Sequence, residues 1–160
     1  DPVAVDYLLN VESFKNVLEP ACGEGHLSKR LIELGVEVHS SDLIDRGYGG
    51  VADFFGIEKW EGDLITNPPY NIAQKFVEHS LKVVPEGNKV AMFLKLTFLE
   101  GQARRKMFEK YPPKTVYVFS KRIKCAKGGD FNGCLSNAVA YAWFVWEKGF
   151  KGKPQIEWID

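Results

Sequence analysis

The sequence predicts an α/β fold: a doubly wound, mainly parallel sheet with helices on both faces and an antiparallel C-terminal hairpin. Three stretches carry that expectation. Residues 16–43 read as strand, Gly-rich turn, helix and strand, the opening unit of such a sheet. Residues 89–96 (KVAMFLKL) are a near-continuous apolar run, which suits a strand buried on both faces. Residues 115–119 and 138–146 (AVAYAWFVW) are strand-like runs joined by a long loop, a large hairpin that reverses the last strand.

Taken in order, Val3–Val11 (VAVDYLLNV) is apolar at helical spacing and predicts an opening helix. Asp1-Pro2 is an abrupt start that predicts native residues ahead of it. Residues 16–19 form a short strand stopped by Pro20, and the turn Ala21-Cys22-Gly23-Glu24-Gly25 follows. Residues 26–34 are helical, with Leu27, Leu31 and Leu34 on one face and Gly35 as the C-cap. Residues 36–43 alternate as a second strand ending in Ser41-Asp42-Leu43. Residues 42–60 are too few for a full helix–strand unit, so the third strand is expected to be abbreviated.

Residues 64–66 are a buried strand and residues 71–84 a helix ended by Pro85-Glu86-Gly87. A further helix spans residues 98–111 before Pro112-Pro113. It carries Arg104-Arg105-Lys106, which reads as a solvated face or a second basic patch. Lys121, Arg122, Lys124 and Lys127 open a basic, Gly-rich loop tipped with Phe131. Its composition suits contact with phosphates and bases, and equally a plain surface loop. The tail to Asp160 carries no pattern of its own, and no repeat or low-complexity segment occurs.

Composition narrows the function classes. A chain of 160 residues with 45% hydrophobic and 26% charged residues is one ordinary globular domain by length. No apolar run approaches the roughly 18 residues of a membrane span, so a cytoplasmic location is expected. Net charge is zero, so any attraction to nucleic acid rests on local patches. Cys22, Cys125 and Cys134 lack CxxC spacing and read as free thiols in a reducing compartment. His26, His39 and His79 show no metal-ligand spacing, so no metal site is expected.

The chemistry concentrates in Thr66-Asn67-Pro68-Pro69-Tyr70. Two prolines lack N–H groups and fix φ, so they stop the strand and stiffen the loop at its carboxyl end. That is where open α/β sheets place ligands. The Asn67 side-chain oxygen and the Pro68 carbonyl suit the two N–H groups of an aromatic amine, and Tyr70 offers a stacking face. Two acceptors favour a pyramidal nitrogen and localise its lone pair toward an electrophile, catalysis by preorganised dipoles. A stiff turn without a ligand would use the same residues.

Upstream, Gly23 and Gly25 allow close backbone approach, and Asp42 ends the next strand where a carboxylate can accept from ribose hydroxyls. The full GxGxxG pattern is absent because Ser28 holds the third position. Asp53-Phe54-Phe55 could face an adenine with a carboxylate and a ring, or bury its rings in the core.

Glu19-Pro20-Ala21-Cys22-Gly23-Glu24-Gly25 followed by Thr66-Asn67-Pro68-Pro69-Tyr70 resembles the paired motifs of S-adenosylmethionine-dependent amino-methyltransferases, particularly adenine-specific DNA methyltransferases. The resemblance covers most of the chain and implies a Rossmann-like methyltransferase fold of the seven-stranded type. It implies S-adenosylmethionine as cofactor, held by Glu19, Pro20, Ala21, Gly23, Gly25, Asp42, Leu43, Asp53 and Phe54. It places the acceptor amine on Asn67, Pro68, Pro69 and Tyr70. The implied reaction is methyl transfer to the 6-amino group of adenine in DNA. The same motif serves relatives that methylate RNA bases or protein glutamine, and a non-catalytic cofactor-binding subunit is a further alternative. Cys22 is no nucleophile candidate, since the cysteine-proline motif of cytosine-carbon methylases is absent. No segment is long enough for a separate target-recognition region, so residues 1–160 form one methyltransferase domain. Target choice is then expected to need a homodimer or a partner subunit.

Overall fold

The computed structural model describes residues 1–123 and 139–160. Its elements in chain order are α1 (Val3–Val11), β1 (Val17–Glu19), α2 (His26–Glu33), β2 (Val38–Asp42), β3 (Gly50–Val51) and β4 (Leu64–Thr66). Then come α3 (Ala73–Val83), β5 (Lys89–Lys95), α4 (Gln102–Lys110), β6 (Thr115–Phe119), β7 (Tyr141–Glu147) and β8 (Gln155–Ile159). The described strands form one eight-stranded sheet in the order β3-β2-β1-β4-β5-β7-β6-β8. The ladders from β3 to β5 are all parallel, and β7 runs antiparallel to both β5 and β6. The carboxyl ends of β1, β2, β4, β5 and β6 therefore share one edge of the sheet.

Strand alternation sends apolar residues to both faces. Val17, Ile65, Ala91 and Trp143 pack with Leu8 of α1 and Leu31 of α2. Leu18, Leu64, Val90 and Phe144 pack on the other side with Phe76 of α3 and Met107 of α4. Two indoles pin the layers. Trp143 Nε1 donates to the Ala4 carbonyl at 2.7 Å, and Trp146 Nε1 to that of Tyr111 at 2.9 Å. Large buried rings with a satisfied N–H are strong anchors.

The structure corrects several expectations. The tail is not patternless: β8 adds an eighth strand, parallel to β6. Its ladder holds it there, because Ile156 and Trp158 are exposed and only Ile159 is buried. The helix expected over 98–111 begins at Gln102, because Leu96–Leu99 is a 3-10 turn and Gly101 has φ 117°. Likewise α3 follows a 3-10 turn at Tyr70–Ile72. Asn16 lies outside β1, with φ 47°. The third strand is abbreviated, two residues long.

Opposite the carboxyl edge, Asp63 is buried and ties three segments together. Its Oδ2 accepts from the Lys15 N–H at 2.7 Å. Its Oδ1 accepts from the Asn88 amide at 2.9 Å and the Lys89 N–H at 2.8 Å. Hydrogen bonds to a charged group contribute about 1.5–3 kcal/mol, and unpaired buried donors cost more than that mean suggests. Asp63→Ala is therefore expected to lower unfolding free energy by at least about 3 kcal/mol and Tm by roughly 6–12 °C. Thermal unfolding followed by circular dichroism checks it.

Candidate active site

The carboxyl edge carries a cavity of about 590 Å³, within the range of small-molecule sites. It brings together residues from four separate stretches: Pro20 and Ala21 after β1, Asp42 and Leu43 at the end of β2, Asp53 and Phe54, and Asn67, Pro68 and Pro69 after β4. Ile44, Arg46, Phe55, Ile72 and Phe76 complete the wall. Ile44 and Arg46 had no sequence signal. Ile72 and Phe76 read only as the apolar face of a helix, although their position just after the Asn-Pro-Pro-Tyr turn could have marked them.

Asp42 organises the rim. One carboxylate oxygen accepts from the Gly23 N–H at 2.9 Å and the other from the Ile44 N–H at 3.1 Å. Each oxygen has two acceptor sites, so both retain one for a ligand hydroxyl. Asp53 accepts from the Phe55 N–H at 3.0 Å and so sets the short turn that presents both phenylalanines. The alternatives for that pair combine: Phe54 is buried against Phe76 and His79 and also lines the cavity, while Phe55 lines it from an exposed position.

Glu19, Gly23, Gly25 and Tyr70 do not line this cavity. Gly23 has φ 55° and faces open space, so the backbone there is free for close approach. At Gly25, φ 86°, a Cβ would run into the Tyr48 ring, so Tyr48 covers this part of the glycine turn. Glu19 is buried, accepts from the Ser28 hydroxyl, and Ser40 Oγ donates to Ser28 Oγ at 2.8 Å. The departure from GxGxxG thus has a structural use, since Ser28 pairs with Glu19.

Burial pushes the Glu19 carboxyl up from 4.5 to about 8; the Ser28 hydroxyl opposes the rise and the Asp42 charge adds to it. The folded chain favours the neutral acid. That stabilising contribution is complete below pH 4.5 and is lost as pH rises through about 8. Tm is expected to fall across that window, and Glu19→Gln to flatten that part of the profile, as a pH series of melts would show. Burial, with the Glu19 and Asp42 charges, pushes the Cys22 thiol up to about 11, which leaves it a poor nucleophile at neutral pH.

Two buried hydroxyls, Ser41 Oγ and Thr66 Oγ1, have no partner among the described residues. They directly precede Asp42 and Asn67 in sequence, but neither lines the cavity. The spare acceptors of Asp42, beside the open Gly23 backbone, fit the ribose of a nucleoside-bearing cofactor.

Tyr70 stands in a neighbouring open cleft of about 500 Å³ with Gln74, Thr97, Glu100, Gly101, Gln102, Ala103 and Arg104. Its hydroxyl lies 3.5 Å from Thr97 Oγ1. Lys95 Nζ is 4.5 Å from the ring centroid and the Arg104 guanidinium 5.5 Å. The Thr97 hydroxyl, then Arg104 and Lys95, hold the phenol below its usual range against the opposing effect of burial. Lys121 and Arg122 are exposed just beyond β6, and Lys121 lies 4.0 Å from the Asp160 carboxylate. Lys124, Lys127, Phe131, Cys125 and Cys134 lie outside the described residues. Among the described residues no group of three or more His, Cys, Asp or Glu could hold a metal, and no helix is long and apolar enough to cross a membrane.

The sequence matches no family model, and no curated protein matches it. Solved structures do match. A proposed RNA methyltransferase from Pyrococcus horikoshii is 16% identical over 91% of this chain and 79% of its own, with TM-score 0.59. The M protein of the type I restriction enzyme EcoKI is 14% identical over 93% of this chain and 43% of its own, with TM-score 0.60. A proposed class I S-adenosylmethionine-dependent methyltransferase from Listeria monocytogenes is 12% identical, with coverage of 98% and 61% and TM-score 0.56. The fold is the Rossmann-like methyltransferase fold. Within it the chain spans less than two thirds of the Listeria protein and less than half of the M protein. In this methyltransferase fold the eighth strand, β8, lies at the sheet edge beside β6, away from the cavity.

Proposed function

We propose that the chain transfers the methyl group of S-adenosylmethionine to the 6-amino group of adenine in DNA. One observation carries the reading: the turn after β4 walls two chambers, with Asn67, Pro68 and Pro69 facing the larger cavity and Tyr70 facing the cleft. Pro20, Ala21, Asp42, Leu43, Asp53 and Phe54 would hold the cofactor's nucleoside, with Glu19 and the Gly23-Glu24-Gly25 turn supporting them from behind. S-adenosylmethionine, when bound, supplies an electrophilic methyl group.

The chain's own residues do the rest by positioning. Asn67 Oδ1 and the Pro68 carbonyl each accept one N–H of the acceptor amine. Their dipoles favour the pyramidal nitrogen and so lower the barrier to attack. The prolines hold both acceptors in place before the substrate arrives, which removes an ordering cost. Tyr70 stacks on the base, which must leave a duplex at a cost of a few kcal/mol. No protein nucleophile is required, consistent with the raised Cys22 thiol.

Contacts of Lys121, Arg122, Lys124, Lys127 and Phe131 with DNA, and a second subunit for target choice, belong to the same proposal. Methylation of RNA by the same pocket is the rival reading, favoured by the likeness to the Pyrococcus protein. The test is transfer of labelled methyl to DNA, RNA and glutamine-bearing protein side by side. DNA-dependent incorporation at adenine N6 is the expected result, and incorporation only into RNA or protein would replace it.

A further inference from the structure

We propose that the cleft beside Tyr70 is a phosphate-contacting subsite for a nucleic-acid strand, with Lys95 and Arg104 as its cations. This rests on the reading of Asn67 and Tyr70 as the acceptor pocket and deepens it by naming the acceptor class. The turn Leu96–Leu99 joins the end of β5 to the stretch before α4 and brings Lys95 and Arg104 to one ring, Tyr70. Arg104 is held in place: Nη1 donates to the Thr97 carbonyl at 3.3 Å and the Glu100 carbonyl at 3.2 Å. Its guanidinium lies 4.7 Å from the Phe98 ring centroid. A guanidinium with two donors fixed and a buried ring against it is preorganised, so its remaining donors can take an anion at little ordering cost.

Among the described residues neither Lys95 nor Arg104 pairs with a carboxylate. The neighbouring Arg105, by contrast, bonds Glu109 at 2.9 Å. Arg104 and Glu100 both line the cleft, and Lys95, against the Tyr70 ring from outside that lining, adds a second cation to the one carboxylate. A neutral glutamine amide would gain nothing from that charge. A base stacked on Tyr70 carries a phosphodiester on either side, which these cations would neutralise, and charge-assisted bonds of this kind are the stronger ones. In a chain of zero net charge, such a patch gives both attraction and orientation.

The test measures binding of a labelled single-stranded DNA oligonucleotide containing one adenine, by fluorescence anisotropy across a salt series, using the whole chain. Each phosphate contact on a single strand contributes about 0.7 to the slope of log affinity against log salt. Lys95→Gln with Arg104→Gln is expected to reduce the slope by about 1.4, and Arg105→Gln with Lys106→Gln to change it by less than half as much. Arg104→Lys keeps the charge and is expected to keep most of the slope, which separates charge from lost packing on Phe98. An unchanged slope in the Lys95/Arg104 variant overturns the subsite. So does a parent chain that fails to bind the oligonucleotide while methylating a glutamine peptide. Methyl transfer to the oligonucleotide is followed in parallel. A falling slope without any transfer supports the subsite while removing the methylation reading.

Discussion

Asn67→Ala is expected to lower turnover at least about a hundredfold while leaving cofactor affinity close to that of the parent. The reason is positional. Asn67 is exposed at the end of a buried strand, and Pro68 behind it is buried, so the side chain is aimed by the backbone rather than by packing. Truncation removes one acceptor and disturbs little else. An acceptor that strengthens as the nitrogen becomes pyramidal acts on the transition state, so the loss falls on kcat more than on binding. Single-turnover kinetics beside calorimetry with the cofactor separates the two. A main loss in cofactor affinity would move Asn67 from the amine to the cofactor.

Asp42→Ala is expected to weaken cofactor binding by about 10- to 150-fold, the equivalent of roughly 1.5–3 kcal/mol for hydrogen bonds to a charged group. Two contributions combine. The spare acceptor sites that would take ribose hydroxyls are lost. The Gly23 and Ile44 N–H groups, now bonded at 2.9 and 3.1 Å, lose their partner and the rim loosens. Asp42→Asn distinguishes these effects, since its amide oxygen can still hold one N–H but no longer carries charge. Calorimetry showing equal affinity in Asp42→Ala and parent would remove the ribose role.

The fold was legible wherever local pattern and tertiary fate coincide. Val3–Val11, Leu64–Thr66 and Thr115–Phe119 fall on their expected bounds because proline, polar turns or strict apolar spacing end them. β8 was not legible, since its apolar residues Ile156 and Trp158 face outward and the strand is held by backbone pairing. The late start of α4 was hidden for a related reason: Leu96–Leu99 is apolar enough to suit a helix, and only Gly101 marks the break. In the site, motif residues near in sequence were readable because side-chain type and turn stiffness go together. Ile44 and Arg46 line the cavity through loop geometry alone, and Tyr48 reaches Gly25 the same way. The covering of Gly25 and the burial of Glu19 are tertiary facts that spacing does not encode.

The two chambers on either side of the Asn-Pro-Pro-Tyr turn share no lining residue. Apart from Tyr70 and Gln74, the smaller one is built from a single contiguous piece of chain, residues 97–104. On the proposed function, such a layout would make acceptor choice a detachable trait. Substitutions confined to that segment would, on the same reading, alter what surrounds the acceptor while the larger cavity, assembled from distant strand ends and including Asn67 and Pro68, stays as it is. Residues 97–104, from the 3-10 turn into the first residues of α4, would then be where divergence in acceptor preference accumulates.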